Sequence, residues 1–212
     1  MDLSQVSDVV ILRLPMYVRA LSQLLDAGSE VVDSKTLGRL IRIAPAQVRK
    51  DLSYLGKFGK QGQGYSVPYL RDELRRILGL DRRWTACLVG VGNLGQAIID
   101  YPGFVPGGFS IVAAFDSDPE LVGKSIGGIP VRPMSELDGT VEASEITIGI
   151  VAVPASQAQS VIDRLVDAGV QGILNYAPVA PHVPERVILR NIDPVLSLQS
   201  MTYYLLQGSR PD

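Results

Sequence analysis

The chain has very few of the residues that build disulfides and metal sites. Its 212 residues include one cysteine, one histidine and one tryptophan. A single cysteine cannot form a disulfide within the chain, and a single histidine does not supply a His-based zinc site or a Ser-His-Asp triad. Composition therefore excludes disulfide-stabilised folds and argues against metalloenzymes and triad hydrolases. Cys87, in an apolar run, is interpreted as a buried strand residue.

Long apolar runs and a large net charge are also missing. Charges, glycines or prolines interrupt every stretch that approaches the roughly 18 apolar residues of a membrane span. The first residues, MDLSQVSDVV, carry acids where a secretory signal has a basic region, so we expect no export. With 46% hydrophobic and 20% charged residues and a net charge of −2, the sequence predicts a folded cytoplasmic protein.

Charge is distributed unevenly along the chain. Residues 1–83 carry 14 Lys and Arg against nine Asp and Glu, whereas residues 84–212 carry six against 13. Residues 35–60 contain seven basic side chains and a single acid, Asp51. Such a basic segment favours a polyanionic partner, although a solvated basic face has the same composition.

Apolar periodicity in the first half predicts a helix-turn-helix. Apolar residues recur at helical spacing from Ser7 to Ala27, where Pro15 is expected to bend or divide the helix. A second helix is predicted after an N-cap at Ser34, and a third over 45–55 with proline at its first position. Two short helices joined by a tight turn, the second basic on its outer face, are typical of DNA-binding proteins.

The segment after the third helix is typical of a wing. It reads GKFGKQGQGYSV (56–67), a glycine-rich hairpin whose lysines would release counterions from a phosphate backbone. Arg49 and Lys50 are expected to reach guanine edges in the major groove, while the wing positions the domain. The alternative is a helical hairpin that does not bind DNA. The predicted DNA-binding residues are Gln47, Arg49, Lys50, Ser53, Tyr54, Lys57 and Lys60.

The second half begins with a nucleotide-binding motif. An amphipathic helix over 68–80 connects the halves, and WTACLVGVGNLGQAIIDY (84–101) then places Gly90-x-Gly92-x-x-Gly95 between a strand and a helix. Gly90 permits the turn, Gly92 lets the backbone approach a pyrophosphate, and Gly95 allows close packing of helix on strand. The helix N-terminus would then face the phosphates.

An acid at the end of the next strand favours NAD over NADP. Asp116 closes the apolar run FSIVAAFD, 21 residues after Gly95. A carboxylate there accepts hydrogen bonds from the adenosine ribose and repels a 2′-phosphate. No Arg or Lys lies between Asp116 and Lys124 to bind such a phosphate. An acid that ends a strand and binds no ligand is the alternative.

Further alternation of strands and helices predicts a parallel sheet. Strands are expected at 145–153, 172–175 and 187–192, with a helix over 155–168. Residues at the carboxyl ends of such strands contact ligands. The predicted cofactor-binding residues are Gly90, Val91, Gly92, Asn93, Leu94, Gly95, Asp116, Val153, Pro154 and Asn175.

The last helix is apolar over most of its surface. Asp193, as N-cap, and Pro194 open it, and a helix of this kind docks on a partner. The sequence thus predicts an α/β protein with a winged helix-turn-helix DNA-binding domain (1–83), a Rossmann-like NAD(H)-binding domain with a parallel sheet (84–192) and a terminal helix that docks on a partner (193–212).

Three motifs together resemble the Rex family of redox-sensing repressors. They are QVRKDLSYLGKFGKQGQGY, LVGVGNLGQAI with YPGF after it, and ILNYAPV, in the family's order over nearly the whole chain. The resemblance implies a homodimer that binds an inverted-repeat operator, senses the NADH/NAD⁺ ratio and releases the DNA when NADH binds. It also implies that residues 193–212 form a dimerisation helix that is swapped between subunits.

The resemblance further implies a set of switch residues. Arg19, Tyr101 and Asp193 occupy the matching positions. The arginine pairs with the aspartate of the other subunit, and the tyrosine relays NADH binding, so the resemblance adds Tyr101 to the predicted cofactor-binding residues. Two positions depart from the family's usual pattern. Gln61 replaces a basic wing residue, and Ala44 replaces a hydroxyl N-cap of the recognition helix.

Two other classes of function stay open. An NAD-dependent oxidoreductase with an accessory helical domain would have little acid–base chemistry, because Tyr-x-x-x-Lys is absent and the only histidine, His182, lies in a proline-flanked loop. We therefore expect no enzyme activity. A DNA-binding protein that senses another nucleotide or an acyl-CoA also stays open, because a fold alone does not choose its ligand.

Overall fold

The computed structural model describes residues 6–60 and 63–208, and of Lys60 only the backbone. Gln61, named above as a departure in the wing, lies outside the described residues. The chain divides into two compact units, the first ending at Asp81 and the second beginning at Arg82. No helix within the described ranges is long and apolar enough to cross a membrane.

The first unit is a winged helix. A three-stranded antiparallel sheet of order β1-β3-β2 lies beside its helices. Its elements are α1 (Asp8–Asp26), β1 (Val31–Val32), α2 (Ser34–Ile41), α3 (Pro45–Leu55), β2 (Gly59–Lys60), β3 (Gly64–Ser66) and α4 (Val67–Ile77). The apolar positions that gave the helical periodicity form its core, among them Leu14, Leu37, Val48 and Leu70, each fully buried.

The structure corrects two local expectations for this unit, a division of α1 at Pro15 and an N-cap at Ser34. Pro15 does not divide α1, because its ring lies on the exposed side of a continuous helix, where the missing N–H removes one bond at the surface. Asp33, not Ser34, caps α2, and its Oδ1 accepts a hydrogen bond from the N–H of Thr36 at 2.7 Å. That bond lowers the pKa of Asp33. Asp33 has the extended backbone of an N-cap, whereas Ser34 is already helical.

The turn between α2 and α3 confirms the helix-turn-helix. A Cβ on Gly38 would lie 2.5 Å from the carbonyl oxygen of Ile43, so only glycine fits where the turn folds back on α2. Arg42 ends α2 in the left-handed conformation (φ 59°). Ala44 is the N-cap of α3 and supplies no side-chain hydrogen bond, as its sequence position implied.

The second unit is a seven-stranded sheet with helices between the strands. Its order is β10-β9-β8-β4-β5-β7-β6, parallel throughout except for the antiparallel pair β6–β7. The strands are β4 (Trp84–Val89), β5 (Phe109–Asp116), β6 (Ser125–Ile126), β7 (Ile129–Pro133), β8 (Ile148–Val151), β9 (Gly172–Asn175) and β10 (Ile188–Asn191). Without the edge strand β6, this is the strand order of a dinucleotide-binding Rossmann fold.

The helices of this unit are α5 (Asn93–Ile99), a 3₁₀ turn (Met134–Glu136), α6 (Leu137–Ala143), α7 (Ala155–Asp167) and α8 (Pro194–Gln207). The strand predicted at 145–153 is shorter, because Glu145 has a positive φ (48°) that breaks the extended run. The helix predicted over 68–80 covers Val67–Ile77. The hairpin β6–β7 and α6 carry too few apolar residues to have been predicted.

The core of the second unit contains the one cysteine. Cys87, Leu88 and Val89 of β4 are buried on both faces of the sheet, against α7 on one side and α5 on the other. Cys87 is therefore a buried strand residue, as predicted, and burial raises the pKa of its thiol to about 12.

Candidate nucleotide site and DNA-binding face

A cleft of about 660 Å³ opens at the carboxyl ends of β4 and β8. These strands are neighbours, and the chain leaves them toward opposite sides of the sheet, which is where ligands bind in folds of this order. The turn after β4, the end of β5, the turn after β8 and one face of α7 line the cleft.

The three glycines of the motif differ in what requires them. Gly90 has φ +95°, and a Cβ there would lie 2.5 Å from the carbonyl oxygen of Ala152. A Cβ on Gly95 would collide with the carbonyl oxygen of Gly90. Gly92 has an ordinary φ of −68°, and a Cβ there would meet no atom within 4 Å. The fold thus requires Gly90 and Gly95, whereas Gly92 leaves open space at the mouth of the cleft.

Gly92 occupies the N-cap position of α5. Because glycine has no side chain, it accepts no side-chain hydrogen bond from the first amides of the helix. Asn93 and Leu94, the first two helical residues, are exposed, while Val91 is buried beneath the turn. The amides of the first turn of α5, beside a glycine with open space next to it, are suited to bind the pyrophosphate of a dinucleotide.

Asp116 is held by two backbone amides at the end of β5. Its Oδ2 accepts a hydrogen bond from the N–H of Val91 at 2.6 Å, and its Oδ1 accepts one from the N–H of Asp118 at 2.9 Å. A carboxylate has about four acceptor sites, so both oxygens keep capacity for ribose hydroxyls. The predicted residue therefore lines the cleft in a fixed orientation.

The other predicted cofactor residues separate into two groups. Val153 and Pro154 line the cleft, and Pro154 is also the N-cap of α7. Tyr101 is 57% exposed and packs edge-to-face on Phe104, with ring centroids 5.5 Å apart, outside the cleft lining.

Asn175 is fully buried and its polar atoms already have partners. Its Nδ2 donates to the carbonyl oxygens of Ala177 and Val179 at 3.0 and 3.2 Å and to Oδ1 of Asn191 at 2.9 Å. Its Oδ1 accepts from the N–H of Ala177 at 3.0 Å. The side chain therefore shapes the loop after β9, and its contact with a cofactor stays a prediction.

Several residues of the cleft were not predicted. Gln157, Ser160, Val161 and Arg164 share one face of α7, at the helical spacing i, i+3, i+4 and i+7. That spacing is visible in the sequence, but a row of mostly polar residues is also typical of a helix face exposed to solvent, so it did not indicate a binding site. Leu121 and Met134 line the cleft from irregular segments that carry no periodic signal.

The residues predicted to bind DNA lie on the outer face of α3 and on the segment that leads into the hairpin β2–β3. Lys50, Ser53, Tyr54 and Lys57 are exposed there. The Arg49 guanidinium is exposed and donates to Oγ of Ser34 at 2.9 Å. A groove of about 690 Å³ separates the helix from the hairpin, with Arg49, Ser53 and Lys57 on its walls.

Gln47 differs from the other predicted DNA contacts. It is half-buried, and its Nε2 donates to Oδ1 of Asp51 at 2.6 Å. Asp51 itself is completely buried and also accepts from Arg13 and Tyr17 of α1. We call Asp51, Arg13, Tyr17 and Gln47 the Asp51 cluster. Sequence reasoning missed it, because its members lie up to 38 residues apart.

The Asp51 cluster shifts the pKa values of its members. Burial acts to raise the pKa of Asp51, but hydrogen bonds from Arg13, Gln47 and Tyr17 outweigh it and hold that pKa below its usual range. The pKa of Arg13 rises through its hydrogen bonds to Asp51. Burial, together with the bond to the carboxylate, raises the pKa of Tyr17. The cluster is therefore an ionised pair with a neutral tyrosine at neutral pH.

The residues implied as a switch lie in both units. Arg19 is exposed on α1 and makes no ion pair within residues 6–60 and 63–208. Asp193 caps α8 as predicted, its Oδ1 accepting from the N–H of Val195 at 2.9 Å. Their pairing between subunits stays a prediction. The described part of the chain contains no cluster of His, Cys, Asp and Glu able to hold a metal ion.

A winged helix followed by a Rossmann unit with an open glycine-rich cleft defines a class of protein, the transcription regulator with a dinucleotide-binding unit. Family models match both parts: "Putative DNA-binding protein N-terminus" over residues 5–53 and "CoA binding domain" over residues 81–179. The redox-sensing transcriptional repressor Rex of Chloroflexus aurantiacus is 52% identical over 198 residues, 93% of both chains. Rex of Streptomyces coelicolor is 42% identical over 94% of this chain and 77% of its own.

Solved structures of RSP, a Rex-family repressor, are similar to this chain over nearly its whole length. RSP in complex with β-NAD⁺ and operator DNA is 38% identical and superposes with a TM-score of 0.90, over 96% of this chain and 94% of its own. RSP in complex with β-NADH is 36% identical, with a TM-score of 0.87 and 96% coverage of both chains. The chain belongs to the Rex family of redox-sensing transcriptional repressors. The family resemblance and the winged-helix and Rossmann folds are thereby confirmed, and the oxidoreductase alternative is set aside because the relatives are repressors.

Proposed function

We propose that this protein is a dimeric repressor that binds an inverted-repeat operator and releases it when NADH occupies the cleft at β4. NAD(H) acts as a regulatory ligand and is not a substrate. Membership in the Rex family supports the repressor function, and the RSP complexes support both the nucleotide and the DNA.

One observation carries the nucleotide part of this proposal. Gly92 faces open space in a motif whose other two glycines are required by backbone packing, and Asp116 lines the same cleft. This combination leaves room for a pyrophosphate and supplies an acceptor for the ribose. Val91, Asn93, Leu94 and the residues of the β8–α7 turn complete the proposed NAD(H) site.

A preference for NADH is proposed on the placement of the nicotinamide ring against the apolar part of the cleft, Val89, Ala152 and Val153. Reduced nicotinamide is neutral and oxidised nicotinamide is cationic, so apolar surroundings would favour the reduced ring. A ligand shifts DNA binding only by its differential affinity for two states of the dimer. A coupling of about 1–3 kcal/mol would change operator affinity about 5- to 150-fold.

The DNA part rests on the exposed face of α3. Arg49 and Lys50 are proposed to read guanine edges, and Ser53, Tyr54 and Lys57 to contact the neighbouring bases and phosphates. Lys60 is proposed as a phosphate contact of the wing.

The dimer is proposed to form through α8, where the described residues include no buried side chain although most are apolar. Arg19, Tyr101 and Asp193 are proposed to couple the two states of the dimer. Residues 1–83, 84–192 and 193–212 are the proposed functional divisions. We infer a cytoplasmic location, because a repressor shares a compartment with its operator and with the NAD(H) pool.

Fluorescence anisotropy tests this function. A labelled inverted-repeat operator, selected from random duplexes by the protein itself, is titrated with protein at fixed salt, and NADH, NAD⁺ and NADPH are then added separately. Release by NADH at far lower concentration than by the other two supports the proposal. Tight binding without a nucleotide response would remove the sensing function. Arg49→Ala, with an unchanged far-UV circular dichroism spectrum, should lose operator affinity.

A further inference from the structure

The Asp51 carboxylate receives four hydrogen bonds on the inner side of the recognition helix α3. Arg13 donates from Nε to Oδ2 at 2.6 Å and from Nη2 to Oδ1 at 2.7 Å. The hydroxyl of Tyr17 donates to Oδ2 at 2.9 Å, and Nε2 of Gln47 donates to Oδ1 at 2.6 Å. All four are short, and the carboxylate is wholly buried.

The donors come from two helices that are not close backbone neighbours. The backbone of α1 lies mainly beside α4 and α2, and that of α3 mainly beside α2. The Asp51 cluster is a direct polar link between α1 and α3, whose buried apolar residues belong to one core. Arg13 and Tyr17 are one turn apart on α1, and Gln47 is one turn before Asp51 on α3, so the link spans a full turn of each helix.

The geometry of this link fixes more than the distance between the helices. Apolar contacts of Val48 and Leu52 hold α3 in place but are non-directional, so they tolerate small rotations about the helix axis. A bidentate pair between a guanidinium and a carboxylate has a defined plane and two parallel bonds. The bonds to Asp51 therefore add a directional constraint on the rotation of α3, which carries the neighbouring Arg49 and Lys50.

We propose that Asp51 is a positioning residue for operator recognition, which through Arg13 fixes the rotation of α3 at which Arg49, Lys50 and Ser53 meet base edges. This inference rests on the proposed binding of DNA by α3. Gln47 belongs to the same device, because its amide completes the hydrogen bonding of the carboxylate from the side of α3.

A purely stabilising ion pair would behave differently. Its loss would lower the free energy of unfolding and leave the DNA-binding properties of the molecules that remain folded unchanged. A rotated recognition helix would keep its phosphate contacts, which depend on charge, and would lose its base contacts, which depend on direction. The ratio of operator affinity to affinity for a scrambled duplex therefore separates the two roles.

The test compares Arg13→Lys and Asp51→Asn with the wild-type protein. Lysine keeps the charge and removes the fork, so Arg13→Lys tests the positioning role if Asp51→Asn fails to fold. Glu73→Gln is the matched control, because Glu73 pairs with Arg76 at 2.7 Å on α4, near the surface of the same unit. Anisotropy is measured with the selected operator and with a scrambled duplex at several salt concentrations, at a temperature well below the unfolding midpoint of each variant.

We expect the cluster variants to lose about 10-fold or more in operator affinity, with less than about twofold change for the scrambled duplex and an unchanged salt dependence. NADH affinity should stay at the wild-type value, and Glu73→Gln should bind as the wild type does. Equal losses on both duplexes, or no loss on either, would overturn the positioning role. A wild-type protein that does not distinguish the duplexes would instead contradict the proposed function.

Discussion

The backbone nitrogen of Val91 lies 2.6 Å from Oδ2 of Asp116, so the end of β5 is tied to the glycine-rich turn after β4. The bond holds the acid where an adenosine ribose would approach the cleft, and it leaves acceptor capacity on both oxygens. One side chain thus orients the glycine-rich turn and is also the proposed acceptor for the sugar.

We predict that Asp116→Ala weakens NADH binding by about 10-fold or more, because two ribose hydroxyls lose their acceptor and the turn loses its tie. NADPH should be affected less, because removal of the carboxylate also removes its repulsion of the 2′-phosphate. Isothermal titration calorimetry with both nucleotides measures the two changes. Asp163→Asn on the exposed face of α7 is the control and should leave both affinities unchanged. Equal losses for NADH and NADPH would contradict ribose recognition by Asp116.

The glycines of the motif give a second prediction, because they differ in what surrounds them. A Cβ on Gly92 meets nothing within 4 Å, so Gly92→Ala should unfold at the wild-type temperature and lose NADH affinity where the pyrophosphate approaches. A Cβ on Gly95 meets the carbonyl oxygen of Gly90, so Gly95→Ala should destabilise the second unit itself. Thermal unfolding and NADH titration of both variants check this contrast. Normal NADH binding by Gly92→Ala would place the pyrophosphate elsewhere.

These residues also show what could be predicted from the sequence. The motif at Gly90 and the acid at Asp116 follow a fixed spacing between elements, and the helix-turn-helix follows apolar periodicity, so both were found. The roles of Asp51 and Asn175 depend on partners brought together only by the fold, on α1 for the first and on a loop and β10 for the second. Leu121 and Met134 enter the cleft from irregular segments, where no period marks the inward face.

The stability of the first unit at acidic pH should depend on Asp51. Its pKa in the folded protein is lowered, so its contribution to stability is present above the ordinary pKa of an aspartate, about 3.9, and is lost as the pH falls through the lower folded value. The first unit should therefore unfold more readily below about pH 4. Asp51→Asn should flatten this dependence, because asparagine does not titrate. Urea unfolding followed by circular dichroism from pH 2 to pH 7 measures the effect.

Asp51→Asn should also destabilise the first unit at neutral pH. Breaking a buried ion pair costs about 3–5 kcal/mol, and we expect the lower end because Arg13 keeps 20% of its surface exposed. A variant as stable as the wild type at pH 7, with the same acid profile, would show that the Arg13–Asp51 pair adds nothing to folding.

Cys87 should play no part in sensing. Its thiol is buried in β4, and its pKa is raised to about 12, so the reactive thiolate is scarce near neutral pH. We predict no reaction with Ellman's reagent in the native protein at pH 8 and one thiol per chain in guanidinium chloride. Cys87→Ala should keep the wild-type release of operator by NADH. Fast labelling of the native protein would instead show that the sheet opens.

The exposed apolar surface of α8 gives the last prediction. Leu205 and Leu206 are 77% and 86% exposed, and Met201 and Tyr203 are more than half exposed, which is costly for a helix in water. A second copy of the chain would cover this surface, so Leu205→Glu should turn the dimer into a monomer in sedimentation velocity. Operator affinity should then fall by about 100-fold or more, because one winged helix reads only a half-site. Gln199→Glu on the same helix adds the same charge at a polar position and should stay dimeric. A dimeric Leu205→Glu variant with full operator affinity would place the dimer interface on another surface.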